Sequence, residues 1–218
     1  MNDGADAAER AQFMLRMRAR GIQDLGLLRA LERAPRALFM PQRYQDVAAR
    51  DIALPIGGGQ TAPPPSVVAA MIAALGLNRL HRVLEIGAGT GYATALLSQL
   101  AGRVLAVERR QALALEASAR LEAFGVDNAE VAWADGLAPA PDGERFDRII
   151  VHGLLEAPPE GLVERLGADG VLVAACAQDG GAQRIIRFAP DGEGRLVGVD
   201  CGAARSLAPL TPGLTRGL

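Results

Sequence analysis

The chain reads as an α/β protein: a Rossmann-like, doubly wound, mostly parallel sheet that ends in an antiparallel hairpin and carries an N-terminal helical extension. Three observations predict it. From Arg82 onward short apolar runs alternate with helical stretches, and runs that stay apolar without in/out alternation mark strands covered on both faces, as in a parallel sheet. A glycine cluster, Gly87-Ala88-Gly89-Thr90-Gly91, falls where the first of these strands must hand over to a helix. Two late apolar runs, QRIIRFA and RLVGVDC, flank Pro190-Asp191-Gly192-Glu193-Gly194, a turn sequence that joins antiparallel neighbours.

The elements follow in order. Residues 6–20 set Phe13, Met14 and Met17 near helical spacing among Arg and Glu, and Gly21 stops that helix. Asp24 can cap a second helix with the stripe Leu25, Leu28 and Leu31, which Pro35 ends. Between Pro41 and Pro65 the stretch DIALPIGGGQTAPPP, with three consecutive glycines and three consecutive prolines, is a shaped loop. Ser66 then caps a helix to Leu75. Strands are expected at 83–86, 104–107, 130–134, 148–151 and 171–176, with helices at 91–101, 111–124 and near 159–166. We expect one compact domain in which residues 1–80 pack as helices and loop on a Rossmann-like core of residues 81–218.

Composition bounds the function. In 218 residues, 50% hydrophobic and 22% charged exclude a disordered tail, a collagen and a disulfide-stapled mini-protein. Twenty-three Lys plus Arg against 25 Asp plus Glu leave a net charge of −2, so neither nucleic acid nor a membrane is an expected partner. Cys176 and Cys201 stand alone, and His81 and His152 are the only histidines. No metal cluster is therefore expected, and a reducing compartment is the simpler reading. The first ten residues lack a basic and then apolar leader, and no apolar run approaches ~18 residues. A cytoplasmic monomer is expected.

The glycine cluster indicates the ligand. Glycines let the backbone turn sharply and approach a ligand without Cβ clashes. The next strand ends at Glu108, 17 residues beyond Gly91, where a carboxylate can accept both ribose hydroxyls of a nucleoside. A dinucleotide site needs GxGxxG or GxGxxA, but Tyr92 stands three after Gly89, and Gly91 gives GxGxG instead. Glu85, two before the first glycine, would repel a pyrophosphate and suits a cofactor with an ammonium and a sulfonium. Asp135-Gly136, after the third core strand, adds an acceptor for an adenine amine. This series resembles the Rossmann-like S-adenosylmethionine methyltransferases.

The upstream loop narrows the resemblance. Asp51-Ile52-Ala53-Leu54-Pro55-Ile56-Gly57-Gly58-Gly59-Gln60-Thr61, followed by Val68, Ala69 and Met71, resembles the protein-L-isoaspartate O-methyltransferase family, whose loop reads roughly LPIGxGQTIS. Ala34-Pro35-Arg36 with Phe39 and Pro41, Phe146 to Val151, Gly180-Gly181 with Gln183, and Leu207-Ala208-Pro209-Leu210 are similar to that family's other segments. The resemblance implies methylation of isoaspartyl carboxylates in damaged peptides and proteins. It implies S-adenosyl-L-methionine as cofactor, held by Gln60, Thr61, Glu85, Gly87, Gly89, Thr90, Gly91, Glu108, Arg109, Asp135, Gly136 and Gln183. The chain departs from the family on the acceptor side: Pro63 stands at the family's serine, Ala48-Ala49-Arg50 precede Asp51, His152-Gly153-Leu154-Leu155 follow the fourth strand, and Ala174-Ala175-Cys176 close the fifth.

Two candidates carry catalysis. Thr61 either hydrogen-bonds the acceptor or only braces its loop, and Gly57 to Gly59 form a candidate anion nest. His152 is either a base toward a hydroxyl or amine acceptor or, the plainer reading, a solvent-facing loop histidine. Two further functions therefore stand beside isoaspartyl methylation: a methyltransferase for another acceptor that uses His152, and a catalytically silent cofactor-binding module. Plain structural roles are expected elsewhere: His81 leads into a strand, Trp133 is wall or core, Cys176 is a buried small hydrophobe, and the Arg-rich first helix is a solvated face.

Overall fold

The computed structural model describes residues 3–138 and 143–216. The N-terminal part comprises α1 (Asp3–Ala19), α2 (Leu25–Arg33), two 3-10 turns, the miniature hairpin β1 (Leu54–Pro55) and β2 (Thr61–Ala62), and α3 (Pro65–Leu75). The core follows as β3 (Arg82–Ile86), α4 (Tyr92–Ser98), β4 (Arg103–Glu108), α5 (Gln111–Phe124), β5 (Ala129–Trp133) and β6 (Phe146–Leu155). It closes with α6 (Glu160–Val163), β7 (Leu166–Ala177), β8 (Gln183–Pro190) and β9 (Leu196–Ala204). Seven strands form one sheet in the order β5-β4-β3-β6-β7-β8-β9. The first five are parallel, and β7, β8 and β9 pair antiparallel. The order reverses between β3 and β6, and that switch point is where doubly wound sheets hold ligands.

Successive residues on the strands face two apolar layers. Val83, Ile150 and Val173 join the layer built with α1, α2, α3 and α4, while Leu84, Ile149 and Leu172 join the opposite one. Phe13, Met17 and Leu31 share one continuous core with Val83 and Val104, so the first helix is solvated only on its outer side. Asp24 caps α2 as expected, accepting the Leu27 N–H at 2.6 Å. Leu25, at the first turn, faces solvent at 64% exposure, and Leu27 takes its place in the stripe.

Three elements differ from the sequence reading. Ser66 does not cap α3: Pro64 holds that position, and the buried Ser66 donates its N–H to Asp51 Oδ1 at 3.1 Å. The helix expected near 159–166 shrinks to Glu160–Val163, because Leu166 onward pairs with β6. β6 runs past Val151 to Leu155, since the segment after β9 supplies new partners: the Leu154 N–H donates to the Ala208 carbonyl at 2.8 Å, and Leu210 N–H to Leu154 O at 3.1 Å. His152 is thereby a strand residue.

Candidate active site

The turn after β3 is built from backbone that only glycine adopts without strain. Gly87, Gly89 and Gly91 have φ of +88°, +55° and +85°. The turn hangs from the end of β4, with the Gly87 and Ala88 N–H groups on the Val107 carbonyl at 2.8 and 3.2 Å. Gly136 approaches from β5 so closely that a Cβ there would lie 2.7 Å from Ile86. Glu108, buried at the end of β4, accepts the Gly89 N–H at 3.0 Å and the Arg110 N–H at 2.9 Å. One cavity opens over these groups. Gly87, Gly89, Thr90, Glu108, Asp135 and Gly136 form one side of it, and Gln60, Thr61 and Pro63 another.

Several of the expected ligands make bonds within the scaffold. Glu85 is fully buried and does not line the cavity; it accepts the Thr94 hydroxyl at 2.6 Å and lies 3.1 Å from His152 Nε2. Its carboxylate sits behind the cavity wall, between Thr94 of α4 and His152. Gln183 is also absent from the lining. Its amide is spent on Leu207, donating to the carbonyl at 2.9 Å and accepting the N–H at 3.2 Å. Asp135 and Arg109 do reach the cavity, yet both hold the chain after β9. Asp135 accepts the Gly213 N–H at 2.6 Å, and Arg109 donates to Gly213 O, Thr211 Oγ1 and Pro212 O at 2.7, 2.7 and 3.2 Å. Gly58 and Gly59 take positive φ but do not line the cavity, so the expected anion nest is a tight turn packed on Arg110.

His152 is a buried wall residue, its side chain 6% exposed, and not a loop histidine. The approach of Nε2 to Glu85 is close but poorly directed, and Nδ1 has no hydrogen-bond partner among the described residues. Trp133 does not line the cavity; it donates Nε1–H to Arg109 O at 3.0 Å under the Arg216 guanidinium. Cys176 and Cys201 are both free, and burial pushes the Cys176 thiol up. No group of three metal-ligating side chains occurs among the described residues.

Sequence reasoning missed the residues that hold the acceptor wall. The buried Arg36 donates to four carbonyls, Ala48, Ile52, Ala62 and Pro63, at 3.2, 3.2, 3.3 and 2.9 Å. Burial lowers its guanidinium to about 10, against the raising pull of Tyr92 and Asp51. The Pro35-Arg36 pattern was visible, but partners 12 to 27 residues away were not. Asp51 ties three segments together, accepting Ser66 N–H and Arg205 Nη2 and lying 3.2 Å from Arg20. Ser206 and Leu207 to Thr211 also line the cavity; the Leu207–Leu210 segment was similar to the family's, but nothing in the sequence put it at the site, and Ser206 and Thr211 carried no signal.

The glycine turn, the acid at the end of the second core strand and the acidic residue after the third define a Rossmann-like nucleoside-cofactor site of the methyltransferase type. The protein-L-isoaspartate(D-aspartate) O-methyltransferase family model matches residues 8–212. A protein-L-isoaspartate O-methyltransferase of Azorhizobium caulinodans is 42% identical over 96% of both chains. A solved protein-L-isoaspartate O-methyltransferase is 25% identical, with a TM-score of 0.78 over 94% of this chain and 67% of that one. A Plasmodium falciparum structure of the same family assignment, held with S-adenosyl-L-homocysteine, shares the fold at 18% identity and a TM-score of 0.77, covering 90% of this chain and 96% of that one. The chain belongs to the protein-L-isoaspartate O-methyltransferase family. It is an S-adenosylmethionine-dependent protein carboxyl O-methyltransferase.

Proposed function

We propose that this protein methylates the free carboxylate of isoaspartyl residues in damaged peptides and proteins, with the cofactor on the Gly87–Gly91 side of the cavity and the acceptor against Thr61 to Pro63. The observation that carries it is the single cavity joining the glycine turn and Glu108 to the Gln60–Pro63 wall. The residues fit the cofactor. Glu108 stands buried where vicinal ribose hydroxyls need an acceptor, and of the cavity-lining side chains only Arg109 is a permanent cation, already engaged by Gly213 and Thr211. A pyrophosphate would find no free cation there.

When bound, S-adenosylmethionine supplies an electrophilic methyl group on a sulfonium. An acceptor carboxylate oxygen would take that methyl group, with the neutral thioether S-adenosylhomocysteine as the leaving group. An isoaspartyl carboxylate, with a reference pKa near ~4, is ionised at neutral pH, so no proton has to be removed. The wall's task is then to exclude water and hold the carboxylate in line. Thr61 offers a hydroxyl for this, and Arg36 fixes Ala62 and Pro63 from behind. His152, buried against Glu85, is better suited to support the wall than to carry a proton out. Gly87, Gly89 and Thr90 admit the cofactor closely, while Gly91, expected there too, does not line the cavity and instead lets α4 pack on Ala117 and Leu121 of α5; Glu108 takes the ribose, Asp135 and Gly136 border the adenine, and Gln60 borders the reacting end.

We also take residues 1–80 and 81–218 as one compact unit, which the shared apolar core supports. The protein is proposed to act as a cytoplasmic monomer without nucleic-acid or membrane partners. The net charge of −2 gives no basic field for a polyanion, and no helix among the described residues is long and apolar enough to cross a membrane. Labelled S-adenosylmethionine with an isoaspartyl peptide tests the central reading. Alkali-labile methyl ester on that peptide, and none on its aspartyl counterpart, is expected; cofactor binding without ester points to the silent module, and alkali-stable product to another acceptor.

A further inference from the structure

Building on the carboxylate-acceptor reading above, we infer that Ser206 supplies the acceptor-side hydroxyl that Pro63 lacks. Pro63 has neither a hydroxyl nor an N–H, and its carbonyl is taken by Arg36 at 2.9 Å, so residue 63 offers the acceptor no donor. Thr61 alone is a single donor. A carboxylate held by one hydrogen bond still rotates about its C–C axis; a second donor fixes the plane and leaves one oxygen to attack.

Ser206 lines the same cavity as Thr61 and Pro63. It is the only non-glycine among the described residues with positive φ, at +63°. A left-handed conformation is unfavourable for an L-residue with a Cβ, and glycine would relieve it. The strain persists because both neighbours are fastened. Arg205 donates to Asp51 Oδ2 at 2.7 Å and Asp51 O at 3.2 Å, while Leu207 is gripped at its N–H and its carbonyl by Gln183. A serine kept in such a conformation at a cavity wall is the kind of outlier that marks a working residue. The Ser206 residue is solvent-exposed, and its hydroxyl has no hydrogen-bond partner among the described residues, so it is free to meet a ligand. Asp51 connects the two places: it holds Arg205 beside Ser206 and the Ser66 N–H three residues after Pro63.

The test compares the parent, Ser206→Gly, Pro63→Ser and the double variant, each with an isoaspartyl peptide and labelled S-adenosylmethionine. Ser206→Gly removes the hydroxyl and the strain together, so it is expected to unfold no earlier than the parent and to bind S-adenosylhomocysteine with unchanged affinity. Its kcat/KM for the peptide is expected to fall roughly tenfold to a hundredfold, the range of one hydrogen bond to a charged group. Pro63→Ser is expected to raise kcat/KM more in the Ser206→Gly background, where it restores most of the loss, than in the parent, a coupling that a merely structural residue would not show. Parental kcat/KM in Ser206→Gly, or no recovery in the double variant, overturns the assignment while leaving isoaspartyl methylation standing. A parent that binds cofactor and forms no ester overturns both.

Discussion

The two sides of the cavity are built by different means. On the cofactor side the polar groups sit at the ends of regular strands, and they satisfy one another locally: Glu108 takes the Gly89 and Arg110 N–H groups, and the Val107 carbonyl holds Gly87 and Ala88. On the acceptor side the wall is irregular chain, a two-residue strand and a proline run. Side chains from distant segments fasten it: Arg36 through four carbonyls, Asp51 between Ser66 and Arg205, and Gln183 on Leu207. A site carried by strand ends is fixed by the sheet, whereas a site carried by loops is only as firm as its outside anchors.

The largest effect expected from this contrast is on Arg36. Arg36→Met strands several buried carbonyls at once and should destabilise the fold by ~3–5 kcal/mol, seen as a lower urea midpoint with unchanged slope. Arg36→Lys, which keeps the charge but not the fork, should recover only part of it. A Met variant as stable as the parent would show that the wall does not depend on its anchor. On the other side, Glu108→Ala should weaken S-adenosylhomocysteine binding by ~1–3 kcal/mol while leaving the peptide KM nearly unchanged, measured by calorimetry and steady-state kinetics. Equal losses in both quantities would erase the distinction between the two sides.

Asp51 sharpens the contrast through pH. Burial pushes its carboxyl up, but the hydrogen bonds from Ser66 and the Arg205 guanidinium outweigh that and hold it below its ordinary value. A depressed folded-state pKa stabilises the protein above the unfolded value and loses that contribution as pH falls through the folded one. Asp51→Asn should therefore cost ~1–2 kcal/mol at pH 7, and the gap to the parent should close below pH ~4 in urea titrations at each pH. A constant gap across that range would mean the carboxylate charge is not what ties the segments. The smallest effect concerns His152. With a carboxylate acceptor the parent rate should be flat above pH ~6, and His152→Ala should cost less than tenfold. A loss of ~10²-fold or more, with the ionisation vanishing from the pH profile, would instead make His152 a base and the acceptor a hydroxyl or amine.

Legibility followed the same division. The alternating strands, the Gly87–Gly91 turn, Asp24 as a cap and the final hairpin could be read because each depends on neighbours a few residues away. Glu108 and Asp135 could be placed at the cavity because strand ends set their positions. Glu85 was not placeable for a related reason: alternation along β3 buries it against Thr94 beneath the glycine turn, and the sequence does not say which face of the strand it takes. Gln183 failed because its partner Leu207 is 24 residues away on another segment.

By itself, then, the sequence determined the mostly parallel sheet, its closing hairpin and the nucleoside-type turn, since propensity, apolar periodicity and glycine conformation are local properties of the chain. Only the tertiary structure decided that β6 carries His152 into the cavity wall, that Arg36 and Asp51 hold the acceptor wall, and that Ser206 and Pro63 line one cavity. Those outcomes rest on which unpaired carbonyls, N–H groups and carboxylates meet once the layers pack, and a buried polar group takes whichever partner the packing brings within reach.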